Sequence, residues 1–119
     1  MDGFIDELNQ AFLTVDLGQG PLDFQIDTGF NGSFVIGAEL FELPDAVPQG
    51  PVIADLAADN SQTFEAFDVQ FRFLDEDVLT RILVGPGTDC LIGTAMLDPH
   101  RLELDYGSRT VRLIRNPTW

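Results

Sequence analysis

Basic residues are scarce in this chain of 119 residues: six, all told, against twenty acidic ones, for a formal net charge of −14. A surface of that sign repels phosphate backbones and anionic lipid headgroups, which argues against nucleic acid and membrane as partners. Cysteine is nearly absent. Cys90 stands alone, so no internal disulfide framework exists, and one apolar-flanked thiol reads as a small buried hydrophobe in a reducing compartment. The single histidine, His100, has no second histidine or clustered cysteine to share a metal with, so it reads as a surface residue and no metal is expected. No stretch approaches the roughly 20 apolar residues that cross a bilayer. The opening MDGFIDELNQ is acidic and lacks the apolar run of a signal peptide, so the expectation is a soluble, cytoplasmic protein. Also missing are helix-length amphipathic patterns, internal repeats and linkers.

What is present is a set of short alternating runs between turn residues, with 45% apolar residues and ten phenylalanines, the composition of a globular, mainly β domain expected to occupy residues 1–119 as one unit. Ala11 to Leu17 and Leu22 to Asp27 read as a hairpin over Gly18–Pro21. Ser33 to Ile36 reads as a short strand, and Ala38 to Leu43 as one helical turn stopped by Pro44. From Val52 a strand is expected to turn over Ala58–Ser61 and return through Thr63 to Leu74, with Phe67, Val69, Phe71 and Phe73 on one face. Asp75, Glu76 and Asp77 read as a solvated turn, because they lack the glycine and distal glutamate of a calcium loop. Val78 to Val84 and Cys90 to Ile92 follow as strands. Gly93 to Leu97 reads as a brief helix before Pro99, and Arg101–Asp105 with Arg109–Ile114 as a last hairpin. About eight strands result.

The stretch FQIDTGFNGSF carries the chemistry. Phe24 and Ile26 share one face of a strand, so Asp27 falls where that strand gives way to a turn that Gly29 and Gly32 permit. A carboxylate there is held rigidly, either as a turn cap or as a catalytic acid. Downstream stand Leu91 and Ile92 followed by Gly93.

An apolar strand ending in Asp27, Thr28 and Gly29, followed by an apolar-apolar-glycine strand at Leu91, Ile92 and Gly93, resembles the retropepsin-like aspartic proteases of clan AA. Together with the closing LIGTAMLDPHRLELDYG, the pattern looks most like the small bacterial single-domain type. The resemblance implies a closed acid-protease β-barrel with one short helix, completed as a homodimer, and an aspartic endopeptidase acting on a peptide or protein substrate without a cofactor. It implies Asp27 as the catalytic acid, one from each chain, because no second Asp-Thr-Gly or Asp-Ser-Gly exists in the sequence. Thr28 and Gly29 would lock and approach the paired acids, Leu91, Ile92 and Gly93 would pack beneath them, and Ala57, Ala58, Asp59 and Asn60 would form a flap over the substrate, with Phe30 beside it. The chain departs from the family at Phe30, where alanine or serine is usual, and at the flap turn, which lacks glycine. Those departures point to a second expectation, a retropepsin-like dimer that binds or scaffolds without cleaving; a third is a monomeric β module in which Asp27 only satisfies a turn.

Overall fold

The computed structural model describes residues 1–55 and 61–116, with the side chain of residue 55 excepted. Ten strands and one short helix alternate in the order β1 (Asp2–Ile5), β2 (Ala11–Asp16), β3 (Pro21–Ile26), β4 (Phe34–Gly37), β5 (Val47–Asp55), β6 (Ser61–Phe73), β7 (Glu76–Gly85), β8 (Leu91–Ile92), α1 (Thr94–Leu97), β9 (Arg101–Asp105) and β10 (Thr110–Ile114). All ten strands join one sheet in the order β5-β6-β7-β4-β8-β3-β2-β1-β10-β9. Most neighbours are antiparallel, but β3 pairs with β8 and β4 with β7 in parallel. This ladder is open among the described residues: β5 and β9 are its two ends, so the closed barrel expected from sequence is not what the strand order gives.

Hydrophobic alternation decides which face is buried. Leu13 and Val15 in β2, Phe24 in β3, Phe34 and Ile36 in β4, Ile82 in β7, Ile92 in β8, and Val111 and Leu113 in β10 point to one side and are almost fully buried. Phe34 sits at the centre of that core, with ring centroids 4.9 Å from Phe24, 5.6 Å from Phe71 and 6.4 Å from Phe73, all edge-on.

The long strand β6 changes sides along its length. Its C-terminal half buries Val69, Phe71 and Phe73 in the main core, with Phe67 packed against it, as the alternation predicts. Its N-terminal half buries the opposite parity, Phe64 and Ala66, and Phe64 joins Phe30 and Val35 in a second cluster on the other face of the sheet.

Three local expectations are corrected. Residues 38–43 form no helix; a turn closes there by a hydrogen bond from Leu40 N–H to Gly37 O at 2.9 Å. The β6–β7 turn is Leu74–Asp75, both at positive φ (49° and 67°), and Glu76 already belongs to β7 opposite Phe73. Glu76 and Asp77 then pair with Arg115 and Arg72. Finally, β1 is an additional strand, too short and too broken by Gly3 to show an alternation of its own. It forms because it lies between β2 and β10 and pairs with both.

Candidate active site

Asp27 follows the last residue of β3. Its N–H donates to Ile92 O at 3.0 Å, continuing the ladder in which Gln25 N–H donates to Cys90 O at 2.9 Å, so the turn is pinned to β8 where both strands end. One carboxylate oxygen, Oδ1, accepts the Gly29 N–H at 2.9 Å, and the Asp27 carbonyl accepts from Phe30 N–H at 3.1 Å. Asp6, Asp16 and Asp105 hold other turns of this chain by the same carboxylate-to-amide pattern. What sets Asp27 apart is what holds its loop from the far side.

That far side is the β8–α1 junction. Gly93 N–H donates to Ser33 O at 2.8 Å, Thr94 N–H to Phe30 O at 2.9 Å, and Ala95 N–H to Gly32 O at 3.2 Å. Two backbones so close leave no room for a side chain: a Cβ on Gly93 would stand 2.5 Å from Phe30 O and nearer still to Gly32 O. Gly93 itself is extended (φ −105°, ψ −179°), so space and not dihedral preference requires glycine here.

The sequence-predicted residues therefore fall into two groups. Asp27 and Phe30 on one segment are joined to Ile92 and Thr94 on another by backbone hydrogen bonds, and Gly93 between them is bonded to Ser33. Ala57, Ala58, Asp59 and Asn60 lie outside the described residues. Asp27 is half-buried, while Thr28 and Gly29 are exposed. No hydrogen bond engages the Thr28 hydroxyl or the second Asp27 oxygen among the described residues. Thr28 stands at the rim of an open concavity of about 600 Å³, shared with Asn31, Thr94, Leu97, His100 and Leu102.

The Phe30 ring is buried with Val35 and Phe64, where it also blocks any side chain on Gly32.

Sequence reasoning missed two contributors. Ser33 is the one buried polar side chain among the described residues; its hydroxyl donates to Arg81 O while its carbonyl holds Gly93. Its neighbours, Gly32 and Phe34, advertise a turn and a strand, and nothing in their pattern marks it. The second is a small cavity of about 100 Å³ on the sheet face opposite the main core, lined by Val35, Phe64, Leu91, Gln62 and Asp89. It is assembled from four separate segments, so no local signal could announce it. Nearby, burial above all pushes the Cys90 thiol up, with Asp89 and Asp23 adding to the shift and the Gly37 backbone opposing it.

No protein-family model matches the chain, and no curated protein matches it. Among solved structures it is similar to a retropepsin-like aspartic protease from Rickettsia conorii, with a TM-score of 0.62 at 14% identity over 95% of this chain and 88% of that one. It is also similar to the foamy viral protease-reverse transcriptase, solved in complex with an RNA/DNA hybrid, with a TM-score of 0.55 at 20% identity over 79% of this chain. That match takes in only 13% of the viral chain. The strand order, the Asp27 loop clamped by the β8–α1 junction and these likenesses lead to one conclusion: the chain has a retropepsin-like fold.

Proposed function

We propose that this chain is an aspartic endopeptidase that works as a homodimer, with the Asp27 carboxylates of two copies facing each other across a two-fold axis. The observation that carries this reading is the Asp27 loop: a half-buried acid with, among the described residues, one oxygen uncommitted, beside an exposed Thr28 whose hydroxyl has no partner there, on a turn locked from behind by three backbone hydrogen bonds. A turn cap needs only one carboxylate oxygen and no such clamp.

The chemistry follows from putting two such acids together. At about 3 Å and an effective dielectric of about 20, two full negative charges repel by on the order of 5 kcal/mol, so the pair holds one proton between them. The ionised partner takes a proton from water as it attacks the peptide carbonyl, and the protonated partner hydrogen-bonds the carbonyl oxygen as negative charge develops there. The proton then passes to the leaving amine, and the pair regains its starting state. Thr28 of each copy would reach across the axis with its free hydroxyl and hold the two loops in register. Residues 1–119 act as one domain in this reading, and no metal or organic cofactor enters it.

The test compares wild type with Asp27→Asn on a denatured protein at mildly acidic pH, with sedimentation velocity on both. The expected result is a dimer in each case and a loss of cleavage of at least about a hundredfold in the variant. Equal cleavage by the two proteins, or a strict monomer that still cleaves, would remove the paired acids from the mechanism.

A further inference from the structure

The cavity lined by Val35, Phe64, Leu91, Gln62 and Asp89 lies on the sheet face opposite the main core, where Val35, Phe64 and Leu91 form the second cluster. Leu91 is paired with Gln25, two residues before Asp27 on the adjacent strand. At about 3.3 Å per residue that is about 7 Å along the strand from the acid, which an extended peptide covers in about two residues, and Asp89, two residues before Leu91, lies farther out by up to about 7 Å, the reach of a long basic side chain. The cavity floor is apolar: Phe64 and Val35 are buried, and Leu91 is half-buried against them. Gly85 keeps it open, because a Cβ there would meet the Phe64 ring at 2.7 Å.

The rim has a different character. Asp89 is exposed, and the Gln62 amide stands within 3.5 Å of the point where a Gly85 side chain would begin. None of the arginines takes Asp89 as a partner among the described residues: Arg72, Arg81, Arg101, Arg112 and Arg115 pair with Asp77, Asp68, Glu103, Asp2 and Glu76, and Arg109 turns to Asp6 O and Asn9. Asp23, on the next strand, adds negative charge to the same neighbourhood, as its effect on Cys90 records. An apolar slot with an unpaired carboxylate and an amide at its mouth fits a side chain with a methylene stem and a cationic tip.

We infer that this cavity selects the substrate: a polypeptide with arginine or lysine within about two residues of the scissile bond, its stem on Leu91 and Phe64 and its charge on Asp89. The inference rests on the proteolytic reading of Asp27 for its bond-cleaving context, while the recognition itself requires only the pocket. Discrimination is modest because Asp89 is solvated, about threefold to tenfold for arginine over leucine at low salt and less at high salt.

Two measurements test it separately from catalysis. Nine-residue peptides of one common sequence, with arginine, leucine or glutamate placed at each position in turn, are bound to the Asp27→Asn protein and followed by fluorescence anisotropy. In parallel, cleavage sites made by wild type in a denatured protein are mapped by mass spectrometry. The expected order of binding is arginine, then leucine, then glutamate at one position. Asp89→Asn flattens that order and Asp89→Lys reverses it, and cut sites carry an excess of basic residues that Asp89→Lys abolishes. Selective binding without any cleavage by wild type would leave the pocket assignment standing and overturn the proteolytic one. Cleavage with the same site distribution in wild type and Asp89→Lys, or the absence of any peptide preference, would overturn the pocket assignment.

Discussion

Replacing Gly93 by alanine puts one methyl group into the tightest junction of the molecule. The new Cβ would stand 2.5 Å from the Phe30 carbonyl oxygen and 2.6 Å from its ring, with the Gly32 carbonyl closer yet. Two of these contacts are to backbone carbonyls of the acid loop, so no rotamer change relieves them. The two segments must separate, and the hydrogen bonds from Gly93, Thr94 and Ala95 to Ser33, Phe30 and Gly32 lengthen or break. Overpacking of this kind costs about 1–3 kcal/mol, and each weakened hydrogen bond adds up to about 1 kcal/mol. A loss of about 3–5 kcal/mol is a large share of the stability of a domain this size, and it lowers Tm by about 12–20 °C. Urea and thermal unfolding followed by far-UV circular dichroism measure it, with Gly107→Ala as the control, since the nearest atom to a Cβ there is the Asp105 carboxylate at 3.3 Å. The control is expected to change stability by less than about 0.5 kcal/mol. If Gly93→Ala unfolds within about 1 kcal/mol of the parent, the close approach does not hold the acid loop and the reasoning fails.

Phe34→Ala removes a fully buried ring that touches three others, and a loss of about 3–5 kcal/mol is expected by urea denaturation; a loss below about 1 kcal/mol would mean that the core is not centred there. The Cys90 thiol is raised mainly by burial, so the folded state keeps its proton to higher pH than the unfolded chain does. Its contribution to stability is therefore complete below the ordinary thiol range and is lost as pH rises through that range toward the folded value, a decline that Cys90→Ala should lack in urea titrations at stepped pH. Dimerisation doubles a formal charge of −14 per chain, so added salt is expected to favour the dimer in sedimentation experiments, and weakening by salt would contradict the proposed association.

The sequence made the site's parts legible to different degrees, for physical reasons. Asp27 could be placed at a strand end because Phe24 and Ile26 alternate strictly before it, whereas Gly93 could be matched to it only through the resemblance to retropepsin-like proteases. Period-2 patterns also revealed β2, β3, β7, β9 and β10 to within a residue or two. The Leu74–Asp75 turn was half hidden because leucine is an unusual choice for positive φ, so the acids Asp75 to Asp77 drew the expected turn one position too late. In β6, the switch of buried parity between Ala66 and Val69 reflects a second cluster on the opposite face, which depends on where Phe30 and Val35 arrive from other strands. The pocket at Asp89 was illegible for the same reason: its walls come together only through the parallel pairing of β4 with β7 and the placing of β8 between β4 and β3.

The clamp on the acid loop joins residues 27–33 to residues 92–95, parts of the chain separated by about half its length. A ribosome delivers the first long before the second, and loop closure across such a span comes late in assembly. Until the β8–α1 segment has emerged and docked, the Asp-Thr-Gly turn has only its own local hydrogen bonds to shape it. A nascent or truncated chain therefore carries the acid as an ordinary surface carboxylate, and any hydrolytic capacity is withheld until the molecule has been finished.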